Sequence, residues 1–166
     1  DINEAFKLGD TVGIMRGGCL IQVGTPEEMS SHPANDYVSE FIDSADKTVV
    51  LSVKHVMQRP CMVRVKDSPI HAIREMRTSG VSSAYVVGEH MKFLGLVTID
   101  NAIKASAEQK PLSDYLFTDV PTTLENTMVK DIMPIAAETK YPIAVIEEDG
   151  GLQGIVTKAS VLSPLV

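Results

Sequence analysis

The chain has 166 residues, 44% hydrophobic and 22% charged, with a formal net charge of -7. That balance belongs to an ordinary globular protein and excludes collagen-like, disulfide-built and low-hydrophobicity disordered classes. The charge is unevenly spread, at -6 over residues 1–50, +4 over 51–110 and -5 over 111–166. Cys19 and Cys61 lie 42 residues apart with no C-x-x-C spacing, so neither a disulfide partner nor a zinc ribbon is expected, and a reducing cytosol is the default. No run reaches the roughly 18 apolar residues that span a bilayer.

The chain opens at Asp1 without Met, in a stretch that already reads as helix (Ile2, Ala5, Phe6, Leu8), and is expected to be part of something longer. Thr11 to Met15 is a short apolar strand; Arg16, Gly17 and Gly18 supply a tight turn, and Cys19 to Val23 returns as its partner. Thr25, then Pro26, Glu27 and Glu28, is a helix start: a hydroxyl cap, a proline where its missing N–H costs nothing, and acids at the positive dipole end. Pro33 ends that helix, and Asn35 caps another with Tyr37, Val38, Phe41 and Ile42 on one face. Residues 43–48, polar and small, read as a linker.

Beyond it the sequence repeats. A slide of 59 residues lays Tyr85 to Thr98 on Ala144 to Thr157 without a gap, with five of fourteen positions identical, among them Gly95 with Gly154, Val97 with Val156 and Thr98 with Thr157. Each copy predicts the same order. In the first, Val63 to Val65 is a strand, Asp67, Ser68 and Pro69 start a helix burying Ile70, Ile73 and Met76, and Gly80 closes it. In the second, Asn126 and Thr127 precede a helix burying Val129, Ile132, Met133 and Ala136. A strand, a polar turn, a second strand and a final helix follow each time. A unit of about 55 residues has little interior of its own, so the two are expected to pack sheet against sheet and share a core.

A duplicated β-α-β-β-α unit ending in Gly95-Leu-Val-Thr98 and Gly154-Ile-Val-Thr157, led in by Val56-Met57, resembles the cystathionine-β-synthase (CBS) domain pair, or Bateman module. The first segment resembles a different family. Asp1-Ile-Asn-Glu-Ala5, Gly9-Asp10, Gln22-Val-Gly-Thr-Pro-Glu27 and Pro33-Ala-Asn-Asp-Tyr-Val38 are similar to the stretch after the switch histidine of ATP-binding cassette (ABC) ATPases, in particular those of glycine betaine/proline importers. Together they imply an α/β (α+β) fold: an ABC ATPase remnant at 1–46, a linker at 47–54, and tandem CBS domains at 55–109 and 112–166 forming a pseudo-symmetric pair. The resemblance further implies a homodimer through the CBS domains, a membrane permease subunit as partner of the whole protein, and a cytoplasmic, peripheral position on the inner face of the membrane.

Catalytic chemistry is not expected of this chain. No G-x-x-x-x-G-K-[ST] run occurs, and Gly17-Gly18 and Gly150-Gly151 lack the Lys-Ser/Thr helix that a phosphate loop needs, so they read as turns. His32, His55, His71 and His90 show no metal-ligand spacing, no Gly-x-Ser-x-Gly elbow is present, and no motif requires a cofactor. Aromatic residues are 5% and no nucleic-acid reader motif appears, so nucleic acid is not an expected partner.

A regulatory site is expected instead. In CBS pairs, adenosine ligands sit in clefts between repeats, held by a hydroxyl after the Gly-containing strand and an acid three residues on. Carried over, the hydroxyls are Thr98 and Thr157, but the acid positions hold Asn101 and Ser160, and Asp100 is one residue early. The missing acids weigh against AMP or ATP and favour cyclic di-AMP, a known ligand of CBS pairs in some osmoprotectant importers. Tyr141 would stack on adenine or pack at the cleft edge, Val86 and Ile155 would line the pocket or fill the core, and Lys158 would face a phosphate or solvent. Arg59, Arg64, Lys66, Arg74 and Arg77 would meet an anionic ligand, meet lipid headgroups, or form a solvated surface. A dimerisation or ionic-strength-sensing module without nucleotide is the alternative.

Overall fold

The computed structural model describes residues 2–45 and 51–162; residues 47–50 of the expected linker fall outside them. In the first segment, helix α1 (Ile2–Leu8) leads to strands β1 (Val12–Arg16) and β2 (Cys19–Gly24), paired antiparallel. Gly17 and Gly18 take φ of 58° and 80°, the left-handed pair that a two-residue hairpin turn demands and that costs glycine nothing. Helix α2 (Pro26–Ser31) begins with a complete capping box: the Glu28 N–H donates to Thr25 Oγ1 at 3.1 Å and the Thr25 N–H donates to the Glu28 carboxylate at 2.9 Å. Helix α3 (Asp36–Asp43) is capped by Asn35 as expected. Val38 and Ile42 turn inward, whereas Phe41 is exposed and stacks on Tyr37 instead of entering the core. Phe6, Ile14, Met29, Val38, Ile42 and Ala45 form one cluster, so this segment has a small core of its own.

Short helix α4 (Val53–Val56) leads into the repeats. The first contains β3 (Met62–Arg64), α5 (Pro69–Thr78), β4 (Ser83–Val87), β5 (Phe93–Thr98) and α6 (Ile99–Glu108), with β3 parallel and β5 antiparallel to β4. The second contains β6 (Thr122–Thr123), α7 (Val129–Glu138), β7 (Ile143–Ile146), β8 (Leu152–Val156) and α8 (Lys158–Leu162), with the same pairing. The match extends to irregularities. The register of β4 against β5 shifts at Val86/Val87 and that of β7 against β8 at Val145/Ile146, 59 residues on.

One local expectation changes. Helix α5 buries Ala72 and Met76 at four-residue spacing, with Ile73 partly buried on the flank, while Ile70 is 59% exposed. Two residues are about 200° of helix rotation, so a face through Ala72 turns Ile70 to solvent. Helix α7 starts from Met128 with no side-chain cap.

The repeats exchange their lead-ins. Val53 and Val56 of α4 lie in the core of the second repeat with Val129, Ile132, Ala136, Ile143, Val145, Val156 and Val161, while Leu112 lies in the core of the first with Val63, Ala72, Met76 and Val97. Backbone bonds fix the crossing. Gln58 and Ile155 exchange N–H to C=O bonds of 2.8 and 2.9 Å, and Phe117 and Leu96, again 59 residues away, exchange bonds of 2.8 and 2.9 Å. Between the sheets Tyr85, Val87, Leu96, Val120, Ala144 and Leu152 form the shared core. Each repeat therefore needs the other to satisfy both its apolar surface and its strand edge.

Candidate functional site: the clefts between the repeats

Glycine in the Gly-hydrophobic-Val-Thr strand is what lets the lead-in of the other repeat come so close. A Cβ on Gly95 would stand 2.6 Å from the carbonyl oxygen of Phe117, and one on Gly154 would stand 3.0 Å from that of Gln58. The next residues, Leu96 and Val97, are fully buried, Ile155 is partly buried and Val156 almost fully, and Thr98 and Thr157 emerge half-buried at the strand ends. Both threonines cap the following helix: the Asn101 N–H donates to Thr98 Oγ1 at 3.2 Å, and the Ser160 N–H donates to Thr157 Oγ1 at 3.0 Å. Each hydroxyl accepts that bond and keeps its own proton to donate.

The positions three residues on are occupied internally. Asn101 Nδ2 donates to the Tyr115 carbonyl at 3.1 Å, and the Ser160 hydroxyl, on a buried residue, accepts from the Thr157 N–H and donates to the Thr157 carbonyl at 3.0 Å each. Asp100 is exposed on the first turn of α6.

Of the residues singled out from sequence, Tyr141, Ile155, Thr157 and Lys158 come together. The register Ile143 with Val156 carries Tyr141 and Pro142 alongside Thr157 and Lys158 at one end of the second sheet. Tyr141 and Ile155 both pack, partly buried, against the shared core. Thr98 occupies the equivalent end of the first sheet, paired with Ser83. Val86 does not join them. It is fully buried among Val63, Ala72, Met76 and Val97 on the helix side of its sheet, because alternation along β4 sends its neighbours Tyr85 and Val87 to the shared core. Val86 therefore fills the core and does not line a cleft.

Phe117 was not singled out, yet its ring lies 5.9 Å from that of Tyr141, tilted by 37°, and is 42% exposed. With Lys140 Nζ 5.3 Å from the centre of the Tyr141 ring, these residues form an aromatic pair with a cation at its edge. The signal for Phe117 was its place 59 residues after Gln58, ahead of a first strand. Tyr85 was also missed: its hydroxyl donates to the Pro142 carbonyl at 2.6 Å, tying the two repeats beside Tyr141, and burial pushes the phenol above its usual range so that it stays a neutral donor.

Of the basic residues, Arg64 and Lys66 converge at the opposite end of the first sheet, beside residues 88–91, while Arg59, Arg74 and Arg77 are exposed elsewhere. Among the described residues no three His, Cys, Asp or Glu side chains are grouped to hold a metal.

Comparison with known proteins agrees with this geometry. Residues 53–108 and 112–166 match the model of the CBS domain family. The chain belongs to the CBS domain family. The CBS pair superposes on Staphylococcus aureus OpuCA with a TM-score of 0.61 at 21% identity, covering 66% of this chain and 95% of that one. It superposes on CbpB in complex with c-di-AMP with a TM-score of 0.61 at 16% identity, covering 69% and 84%; at such identities the likeness is one of fold.

The similarity of sequence reaches beyond the CBS pair. The chain is 35% identical over 165 residues to the glycine betaine transport ATP-binding protein OpuAA of Bacillus subtilis, and 41% identical over 167 residues to the glycine betaine/carnitine transport ATP-binding protein GbuA of Listeria monocytogenes. Each alignment covers 99% of this chain, which spans only 40% and 42% of those two relatives.

Proposed function

We propose that this chain is the regulatory CBS module of the ATP-binding subunit of an osmoprotectant importer of glycine betaine, proline or choline type, and that it binds cyclic di-AMP to control transport. The observation that carries the reading is the similarity to importer ATP-binding proteins over 99% of the chain, first segment and CBS pair in one order. In this reading the whole protein hydrolyses ATP, partners a membrane permease and lies on the cytoplasmic face of the membrane, and two copies pair through their CBS helices.

The cleft geometry favours a ligand that does not need a ribose-clamping carboxylate. Asn101 and Ser160 stand where AMP-binding CBS pairs would be expected to place acids, and their side chains are already bonded. The Tyr141–Phe117 pair offers a base a stacking surface, Thr157 has a hydroxyl proton to donate, and Lys158, exposed on the first turn of α8, can meet a phosphodiester. A bound ligand shifts the transporter only by its difference in affinity between two arrangements of the module.

Calorimetric titration of the chain with cyclic di-AMP, AMP and ATP tests this. Saturable binding of the cyclic dinucleotide, weakened about tenfold or more by Tyr141→Ala as expected for a lost stacking contact, supports the reading. No heat from any nucleotide would sink it and leave a dimerisation or salt-sensing module.

A further inference from the structure

A pocket of about 490 Å³ opens at the C-terminal ends of the parallel strands β3 and β4, lined by Arg64, Val65, Lys66, Val87 and the loop at 88–91. It is not the cleft described above. Thr98 pairs with Ser83 at one end of the sheet and Val87 pairs with Phe93 at the other, a separation of more than about 10 Å at the rise of a strand. The volume falls in the range of small-molecule sites, about 300–1,000 Å³.

Val65 and Met91 give this pocket apolar surface, and its charged lining is Arg64, Lys66 and Glu89. Among the described residues the Arg64 guanidinium has no carboxylate within 4.0 Å. Lys66 meets only Glu89, at 3.6 Å, with both side chains about four-fifths exposed (82% and 81%). Such an exposed pair contributes little and gives way readily to a stronger anion. His90 completes the rim from a left-handed backbone position, φ 53°, in a loop closed by the Gly88 N–H donating to the Lys92 carbonyl at 2.8 Å.

The fold does not require these cations. The residues 59 positions on from Arg64, Lys66 and His90 are Thr123, Glu125 and Asp149, so the second repeat builds the same strand ends and closes the same loop, the Glu147 N–H donating to Gly151 at 2.8 Å, with acidic chemistry.

We propose that the first repeat carries a second ligand site here, for a soluble phosphate ester with a compact apolar body: the phosphate on the Arg64 fork and the Lys66 ammonium, the body against Val65 and Met91. Inorganic phosphate alone would leave most of 490 Å³ unfilled. Arginine offers paired donors that match two phosphate oxygens, and lysine adds a point charge.

The test is a ¹H–¹⁵N NMR titration of the chain with phenyl phosphate, repeated on the Arg64→Gln/Lys66→Gln variant. Both side chains are exposed, so the variant is expected to fold, and its unshifted resonances elsewhere verify that. Expected are saturable shifts at residues 64–66 and 88–91, a dissociation constant raised about tenfold or more in the variant, and no displacement by cyclic di-AMP. Linear shifts, equal affinity in the variant, or displacement by cyclic di-AMP would overturn the proposal. So would binding of phosphatidic acid vesicles through these residues with no response to phenyl phosphate. Because the shifts are read at the hairpin end, the result stands whether or not cyclic di-AMP binds the other cleft.

Discussion

Gly95→Ala tests the exchanged lead-ins directly. Gly95 sits at φ 152° and its Cβ would lie 2.6 Å from the Phe117 carbonyl oxygen and 3.3 Å from its carbonyl carbon. Both atoms are backbone, and the Phe117 carbonyl accepts the Leu96 N–H at 2.9 Å, so relief of the clash must lengthen the bond that docks the second lead-in. Backbone strain of this kind costs about 1–3 kcal/mol, and overpacking in a closed core costs a similar amount. A total loss of about 3 kcal/mol is expected. With a urea slope of about 2 kcal/mol/M the unfolding midpoint falls by about 1.5 M. Gly154→Ala is the internal control. Its backbone does not lie in the left-handed region, and its Cβ would meet the Gln58 oxygen at 3.0 Å and the flexible Met57 side chain at 3.3 Å, so about 1 kcal/mol is expected. Urea unfolding by circular dichroism measures both. A Gly95→Ala protein within about 0.5 kcal/mol of the parent, the scatter of an ordinary surface substitution, or a larger loss at Gly154 would refute the reasoning.

Three other outcomes are expected. Val53→Ala removes a fully buried side chain from the second repeat's core and is expected to cost about 2 kcal/mol, with NMR shifts at Val129 and Ile132 exceeding those at Val63 or Ala72; the reverse pattern would contradict the exchange. Tyr85→Phe leaves the Pro142 carbonyl without its donor and is expected to cost about 1–2 kcal/mol in thermal unfolding. The Tyr85 phenol is raised in the folded state, so its contribution is complete below the unfolded tyrosine value, about 10, and is lost as pH climbs above it; ultraviolet titration of the parent against Tyr85→Phe should show that the phenol lost in the variant ionises at higher pH in the folded protein than in the unfolded. Glu27 joins helix α2 to the lead-in helix through Lys54 Nζ at 2.5 Å and His55 Nε2 at 3.3 Å. The hydrogen bond from Lys54 lowers its carboxyl below the usual range, so this contact is present above the ordinary glutamate value and fades as pH falls through the lowered one. Being 40% exposed, the pair is expected to contribute less than about 1 kcal/mol, and Glu27→Gln should leave the unfolding midpoint nearly unchanged at high salt.

Features written in adjacent residues were legible in the sequence. The Gly17-Gly18 turn, the Thr25 and Asn35 caps and the glycine stop at Gly80 each depend on one or two side chains acting on nearby backbone, and each is where the sequence placed it. The duplicated strands were legible too, because two copies at a fixed spacing of 59 confirm one another. Faces were harder. Ile70 and Ala72 both belong to apolar patterns on helix α5, and only contact with the sheet decides that the small residue faces inward. The same holds on β4, where both alternating faces are buried: no polar residue marks Val86 as facing helices and Tyr85 as facing the other repeat. The crossing of Gln58 to Ile155 and Phe117 to Leu96 joins residues 97 and 21 positions apart, and nothing local in the sequence records it. The aromatic pair of Tyr141 and Phe117 is a product of that crossing, so half of it was found from sequence and half was not.

The central claim is that ligand binding at the CBS pair controls an importer. The most direct measurement is glycine betaine uptake into vesicles carrying the complete transporter in which we propose that this chain works, with cyclic di-AMP titrated on the face bearing the ATP-binding subunit. A saturable change in uptake that Tyr141→Ala shifts to higher ligand concentration is the predicted result; uptake indifferent to cyclic di-AMP at saturating ATP and substrate would contradict the account.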